Sequence, residues 1–121
     1  MSSELKELLT RFRMVESVEA AAVVATDGLL IESIARPGVD IDAIGAVASN
    51  GLAMADALGR EVAKGGTVQA VLEYEDGLVI IEPISSDAML LLLTNSRDDL
   101  GLLRFLAAKH RDEMIDALSA I

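Results

Sequence analysis

The chain has 121 residues, of which 52% are apolar and 2% aromatic, and its Lys, Arg, Asp and Glu sum to a formal charge of −10. That length holds one hydrophobic core, so a single domain spanning 1–121 is expected. The charge repels phosphate backbones and acidic lipid headgroups, which argues against nucleic-acid partners. The longest apolar runs, 20–25 and 88–93, fall short of the ~18 residues a membrane-spanning helix needs. No membrane insertion is expected. The start, Met1-Ser2-Ser3-Glu4-Leu5-Lys6, lacks the basic-then-apolar order of a secretion signal, and there is no Cys. A cytoplasmic location fits both. A small chain this apolar has little interior in which to hide its side chains, and self-association is the simplest outlet.

Ser2 or Ser3 can cap a first helix, in which Leu5, Leu8, Leu9 and Phe12 recur at helical spacing up to about Glu16. Residues 19–26 and 29–34 are apolar runs joined by Asp27-Gly28, the hairpin signal in which both turn positions take positive φ. Pro37-Gly38 closes that region. A long helix over 42–64 follows, with Asp40 as its cap and Gly65-Gly66 as its stop. A second hairpin joins 67–75 to 78–84 through Asp76-Gly77, pairing Glu75 with Leu78 and Tyr74 with Val79. One of its faces carries Val68, Ala70, Leu72, Tyr74, Val79 and Ile81 and belongs in the core. The other carries Glu73, Glu75 and Glu82 among Val71, Leu78 and Ile80 and is part solvated. The run 88–94 is apolar on both faces, as in a central strand covered on both sides. Ser96 to Asp99 has the spacing of a capping box. Leu103, Leu106, His110, Met114 and Leu118 then stripe a last helix. The order α-β-β-α-β-β-β-α predicts an α+β fold, a five-stranded antiparallel sheet with helices on both faces.

This order, the Val23-Val24-Ala25-Thr26-Asp27-Gly28-Leu29 hairpin, the Ala-rich central helix ending in Gly65-Gly66, and the tail Asn95-Ser96-Arg97-Asp98-Asp99-Leu100-Gly101-Leu102-Leu103-Arg104 resemble the roadblock family of dynein light chains and bacterial GTPase regulators. The likeness covers nearly the whole chain. It implies a homodimer whose central helices pair and whose third strands join one continuous sheet across two copies. It also implies a Ras-like small GTPase as partner. The chain is close to the minimal domain, without the longer C-terminal extension of some GTPase-activating members, so binding is implied before stimulation of hydrolysis.

On a helical wheel, Ile41, Ile44, Val47, Ala48, Leu52, Met54, Ala55, Leu58, Gly59 and Val62 span about half the circumference, wider than the ~100° a helix needs to pack on a sheet. Two neighbours, the sheet and a second helix, account for that width. Gly45, Gly51 and Gly59 each cost about 1 kcal/mol relative to Ala, which fits the close approach of another backbone. The dimer interface is therefore assigned to Ile41, Gly45, Ala48, Leu52, Ala55 and Gly59. The opposite side carries Asp42, Ala43, Ser49, Arg60, Glu61 and Lys64 around Ala46, Asn50, Ala53 and Ala57. Alanine is there either as the best helix former or as a flat docking surface; with the family resemblance, those last four become the candidate GTPase contacts.

No catalytic site is expected. His110 is the only His and lies on an apolar stripe, and with no Cys a nucleophile–base triad cannot be built in the usual way. Glu73 and Glu82 share an open strand face, unlike the cleft of a carboxylate pair. Asp40 with Asp42 and Asp98 with Asp99 precede helices, where carboxylates cap free N–H groups. No phosphate-loop spacing surrounds Gly65-Gly66, so the chain is not itself a GTPase. Neither metal nor cofactor is expected. The leading reading is a homodimeric, non-enzymatic regulator or adaptor of a small GTPase. The alternatives are a structural scaffold subunit without GTPase contact, a small-molecule sensor and a weak hydrolase.

Overall fold

The computed structural model describes residues 3–121. Its elements are α1 (Glu4–Arg13), β1 (Val18–Ala25), β2 (Leu30–Ala35), α2 (Ile41–Glu61), β3 (Ala70–Tyr74), β4 (Gly77–Pro83), β5 (Ala88–Thr94) and α3 (Leu100–Ser119), in the expected order. The strands form one antiparallel sheet ordered β2-β1-β5-β4-β3. β5 is central, and from Ala88 to Leu92 it is fully buried, as a run apolar on both faces requires.

One face of the sheet carries α1 and α3. Leu5, Leu8, Leu9 and Phe12 of α1 pack with Leu103, Ala107 and Met114 of α3 on Val23, Ile80, Leu90 and Leu92. Burying each of the α1 side chains stabilises the fold by roughly 1.5–3 kcal/mol. Ser3 caps α1 by accepting from the N–H of Lys6 at 3.0 Å; Ser2, the other cap considered, lies outside the described residues. The other face carries α2, where Ile41, Ala48 and Leu52 meet Ala20, Ala22, Val24, Ile81, Met89 and Leu91. The alanines of β1 keep the sheet thin enough for helices to approach on both sides.

Three local expectations are corrected. Both hairpins were expected to turn on Asp-Gly with positive φ at each residue, but only Gly28 and Gly77 have it. The first hairpin closes on three residues, Thr26, Asp27 and Gly28, with the N–H of Ala25 donating to the carbonyl of Leu29 at 2.8 Å. This is the longer loop built on a left-handed glycine. The second turns on Glu75 and Asp76, so Tyr74 pairs with Gly77, Glu73 with Leu78 and Leu72 with Val79. The slip is two residues, and each side chain stays on its expected face.

Burial of those two faces differs from expectation. Leu78 and Ile80, on the face expected to be part solvated, are 3% and 2% exposed under α1 and α3. Val68, Leu72 and Tyr74, expected in the core, are exposed. The cause is the placement of α2, which lies over β1 and β2 and leaves the outer strand of the sheet uncovered.

The last correction is the end of α2. The helix stops at Glu61, before the two glycines. The N–H of Lys64 donates to the carbonyl of Gly59 at 2.8 Å and that of Ala63 to the carbonyl of Arg60 at 3.0 Å. This is a Schellman cap whose left-handed position is held by Ala63, at φ 58°, where glycine is usual. At α3 the cap position falls on Asp99, which makes no side-chain cap bond. Its carboxylate accepts instead from the Ser17 hydroxyl at 2.6 Å.

Candidate partner-binding surface

α2 starts where Asp40 accepts from the N–H of Ala43 at 3.3 Å, as expected of a capping carboxylate. Twenty-one residues then run with no β-branched stretch to weaken the helix. Their side chains divide into three sectors.

The first sector faces the chain's own sheet. Ile41, Gly45, Ala48 and Leu52, assigned to a second copy, are buried within the single chain and have almost no surface left to give a partner. Ala55 and Gly59 are half-buried on the same side. The glycines have local causes too. A Cβ on Gly45 would meet Val24 Cγ2 at 3.2 Å, and one on Gly59 would run into the carbonyl of Gly65. The close backbone approach is therefore to the chain's own strand and tail. Ser49, read as outward, is buried, and its hydroxyl donates to the carbonyl of Ala46 at 2.8 Å.

The second sector is apolar and open. Val47, Met54 and Leu58 are 70%, 74% and 64% exposed. Beside them, Ala43, Val47 and Gly51 form one wall of a groove of about 350 Å³, and Leu72, Tyr74 and Val79 form the other. Isolated exposed leucines are ordinary, but an open groove lined on both walls by apolar side chains is a candidate binding surface. Val47, Met54 and Leu58 were on the apolar arc and absent from the interface assignment. The clue was the arc's width: its middle sits on the sheet, and its surplus extends to one side.

The third sector holds Ala46, Asn50, Ala53 and Ala57, all exposed. Its N-terminal half is buttressed by the first hairpin loop, where a Cβ on Gly28 would meet Ser49 Oγ at 3.2 Å and Ala46 Cα at 3.5 Å. Asp42, Arg60 and Glu61 supply the nearby charge.

Two polar contacts lie on or near β3 and the segment that enters it. Asp56 on α2 accepts from the backbone N–H of Thr67 at 2.9 Å. The Thr67 side chain first, then this backbone bond, hold the Asp56 carboxyl below the ordinary carboxylate range. Glu73 on β3 pairs with Arg97 Nη1 at 2.8 Å. The remaining polar candidates are engaged elsewhere. His110 is buried beneath α3 with Nδ1 at 3.0 Å from Glu113. Glu82 accepts from Gln69 Nε2 at 2.9 Å and faces Arg111.

Comparison with known proteins agrees with this architecture. The description of the Roadblock/LC7 domain matches residues 4–94. An uncharacterized protein of Methanocaldococcus jannaschii is 29% identical over 114 residues, covering 94% of this chain and 98% of that one. MglB of Myxococcus xanthus superposes with a TM-score of 0.87 at 17% identity, covering 98% of this chain and 97% of that one. A Roadblock/LC7 domain from Streptomyces avermitilis does so with a TM-score of 0.86 at 22% identity, covering 98% and 99%. At those identities the two structures establish the shared fold. Among the described residues, no helix is long and apolar enough to cross a membrane.

Proposed function

Because the chain belongs to the Roadblock/LC7 domain family, we propose that it works as a cytoplasmic homodimeric regulator or adaptor that docks a Ras-like small GTPase on its paired α2 helices. The observation that carries this reading is the threefold division of α2. One sector packs on the sheet. One is an apolar flank that continues into the open edge of β3, which suits a second copy. The last, Ala46, Asn50, Ala53 and Ala57, is exposed and flat.

In a two-fold dimer the flat sector occurs twice, side by side. With few protruding side chains it forms a shallow platform on which one rounded body rests against both copies. The three alanines have no rotamers to order on burial, which lowers the entropic cost of binding. The chain contributes a surface in this reading, and the chemistry stays with the GTPase.

The test is Ala53→Arg. The substitution points away from both the sheet and the apolar flank, so the dimer mass by light scattering stays unchanged. Titration calorimetry against the small GTPase, loaded with GDP or with a non-hydrolysable GTP analogue, loses its binding signal, because a long cation is held between the surfaces. Unchanged affinity in both nucleotide states excludes the platform as the docking site.

A further inference from the structure

α3 carries apolar side chains on two faces. Leu103, Ala107 and Met114 line the buried one and account for its packing on the sheet. Leu102 and Phe105 stand on the other, 46% and 61% exposed. The chain has two phenylalanines, and Phe12, in contrast, is fully buried. One turn beyond Phe105, Ala108 opens into a cavity of about 420 Å³ that Val68 and Pro83 also line. Apolar ground therefore runs from Leu102 across Phe105 to the exposed Val68, because residues three apart on a helix are neighbours. It lies on the α3 side of the sheet, away from α2.

Its charge sets this face apart. Four of the ten Lys and Arg residues, Arg97, Arg104, Lys109 and Arg111, fall between 97 and 111, against two carboxylates, in a chain at −10. Arg97 pairs with Glu73, and Arg111 faces Glu82. Arg104 and Lys109 have no carboxylate partner among the described residues. Arg104 is held in place all the same. Its Nε donates to Gln69 Oε1 at 2.7 Å, and Gln69 Nε2 donates to Glu82 at 2.9 Å. The guanidinium is thus positioned without being neutralised.

We propose that this face of α3 docks a protein partner through an acidic amphipathic segment. Its apolar side chains lie on Leu102, Phe105 and the cavity beside Val68, and its carboxylates on Arg104 and Lys109. An exposed aromatic next to a positioned arginine is the composition of an interface anchor. The acidic character follows from complementarity. The rest of the chain repels carboxylates, so attraction is concentrated here and fixes where the segment sits. An anionic membrane, which meets a broad area at once, feels the net negative charge instead. The face stays open when α2 is covered, so the inference does not depend on the dimer or on the GTPase platform.

The probe is a fluorescently labelled helical peptide with leucines along one face and glutamates on the other. Anisotropy titration gives micromolar binding to the wild-type chain, and Phe105→Ala and Arg104→Glu each weaken it about tenfold. Both positions are exposed, so far-ultraviolet dichroism is unchanged. The same peptide with lysine in place of glutamate does not bind. Ala53→Arg binds the acidic peptide as tightly as wild type does, which keeps this result separate from the fate of the platform on α2. Amide shift changes on adding the peptide centre on Leu102, Phe105 and Val68. No binding of the acidic peptide, equal binding of the lysine peptide, or affinity unchanged in both variants overturns the proposal. Shift changes centred on α2 overturn it too, as does binding of the wild-type chain to vesicles of anionic lipid that Phe105→Ala abolishes.

Discussion

The backbone N–H of Thr67 donates to the carboxylate of Asp56 across 2.9 Å, tying the last turns of α2 to the segment that enters β3. The open groove lies between α2 and the β3–β4 hairpin, and this tie links the helix to the segment that leads into that hairpin. Its pH dependence has a definite sign. The Asp56 carboxyl titrates below its ordinary value of 3.8 in the folded chain, through hydrogen bonds from the Thr67 side chain and backbone. A carboxylate with a depressed folded pKa stabilises the fold above its unfolded pKa, and that contribution disappears as pH falls through the folded pKa. Asp56→Ala therefore melts below wild type at neutral pH, and the gap closes in acid below the ordinary carboxylate range. A gap that is constant with pH means the tie is not charge-assisted.

Ala63 sits in a left-handed conformation that costs an L-residue roughly 1–2 kcal/mol. Ala63→Gly removes that strain and raises stability by about 1 kcal/mol, seen as a higher urea midpoint at unchanged slope. A lower midpoint shows that the Schellman geometry does not persist in solution.

Gly59 and Gly101 are both helical glycines with opposite surroundings. A Cβ on Gly59 would overlap the carbonyl of Gly65, whereas nothing lies within 4 Å of one on Gly101. Gly59→Ala destabilises by about 1–3 kcal/mol through overpacking. Gly101→Ala gains up to about 1 kcal/mol of helix propensity. Chemical denaturation of the two variants checks the contrast, and equal shifts refute it.

The two apolar sides of α2 respond differently to substitution. Leu52 is 5% exposed against the sheet, so Leu52→Ala costs about 2–5 kcal/mol of folding stability. Met54, at 74% exposed, contributes little to the single chain, so Met54→Glu leaves the fold intact and weakens self-association. Circular dichroism with sedimentation equilibrium separates these effects. Loss of helix in Met54→Glu contradicts the assignment of the sectors.

The element order and the sheet with helices on both faces were legible in the sequence, because the Asp-Gly pairs mark the two hairpins and the strand and helix periods change near Asp40, Gly65 and Ser96. The turns were less so. Asp-Gly marked both hairpins correctly but not their closing residues, since which residue takes positive φ depends on how each glycine sits against the rest of the sheet. The wheel showed that α2 is too apolar for one neighbour, yet not which half of its arc meets the sheet. That choice is made in three dimensions, where Gly45 fits against Val24 and Leu52 packs beside Ile81. The edge position of β3, and with it the exposure of Leu72 and Tyr74, follows from strand order, which alternation along one strand does not encode.

In the proposed dimer a second copy sits on the apolar flank of α2 and the neighbouring edge of β3. Leu58 tests it most directly, because it is 64% exposed in the single chain and lies on no buried side. Multi-angle light scattering at micromolar concentration should give wild type about twice 12.8 kDa and Leu58→Glu close to 12.8 kDa, with identical far-ultraviolet dichroism. A wild-type mass near 12.8 kDa, or a Leu58→Glu variant that stays dimeric at the same concentration, contradicts the account.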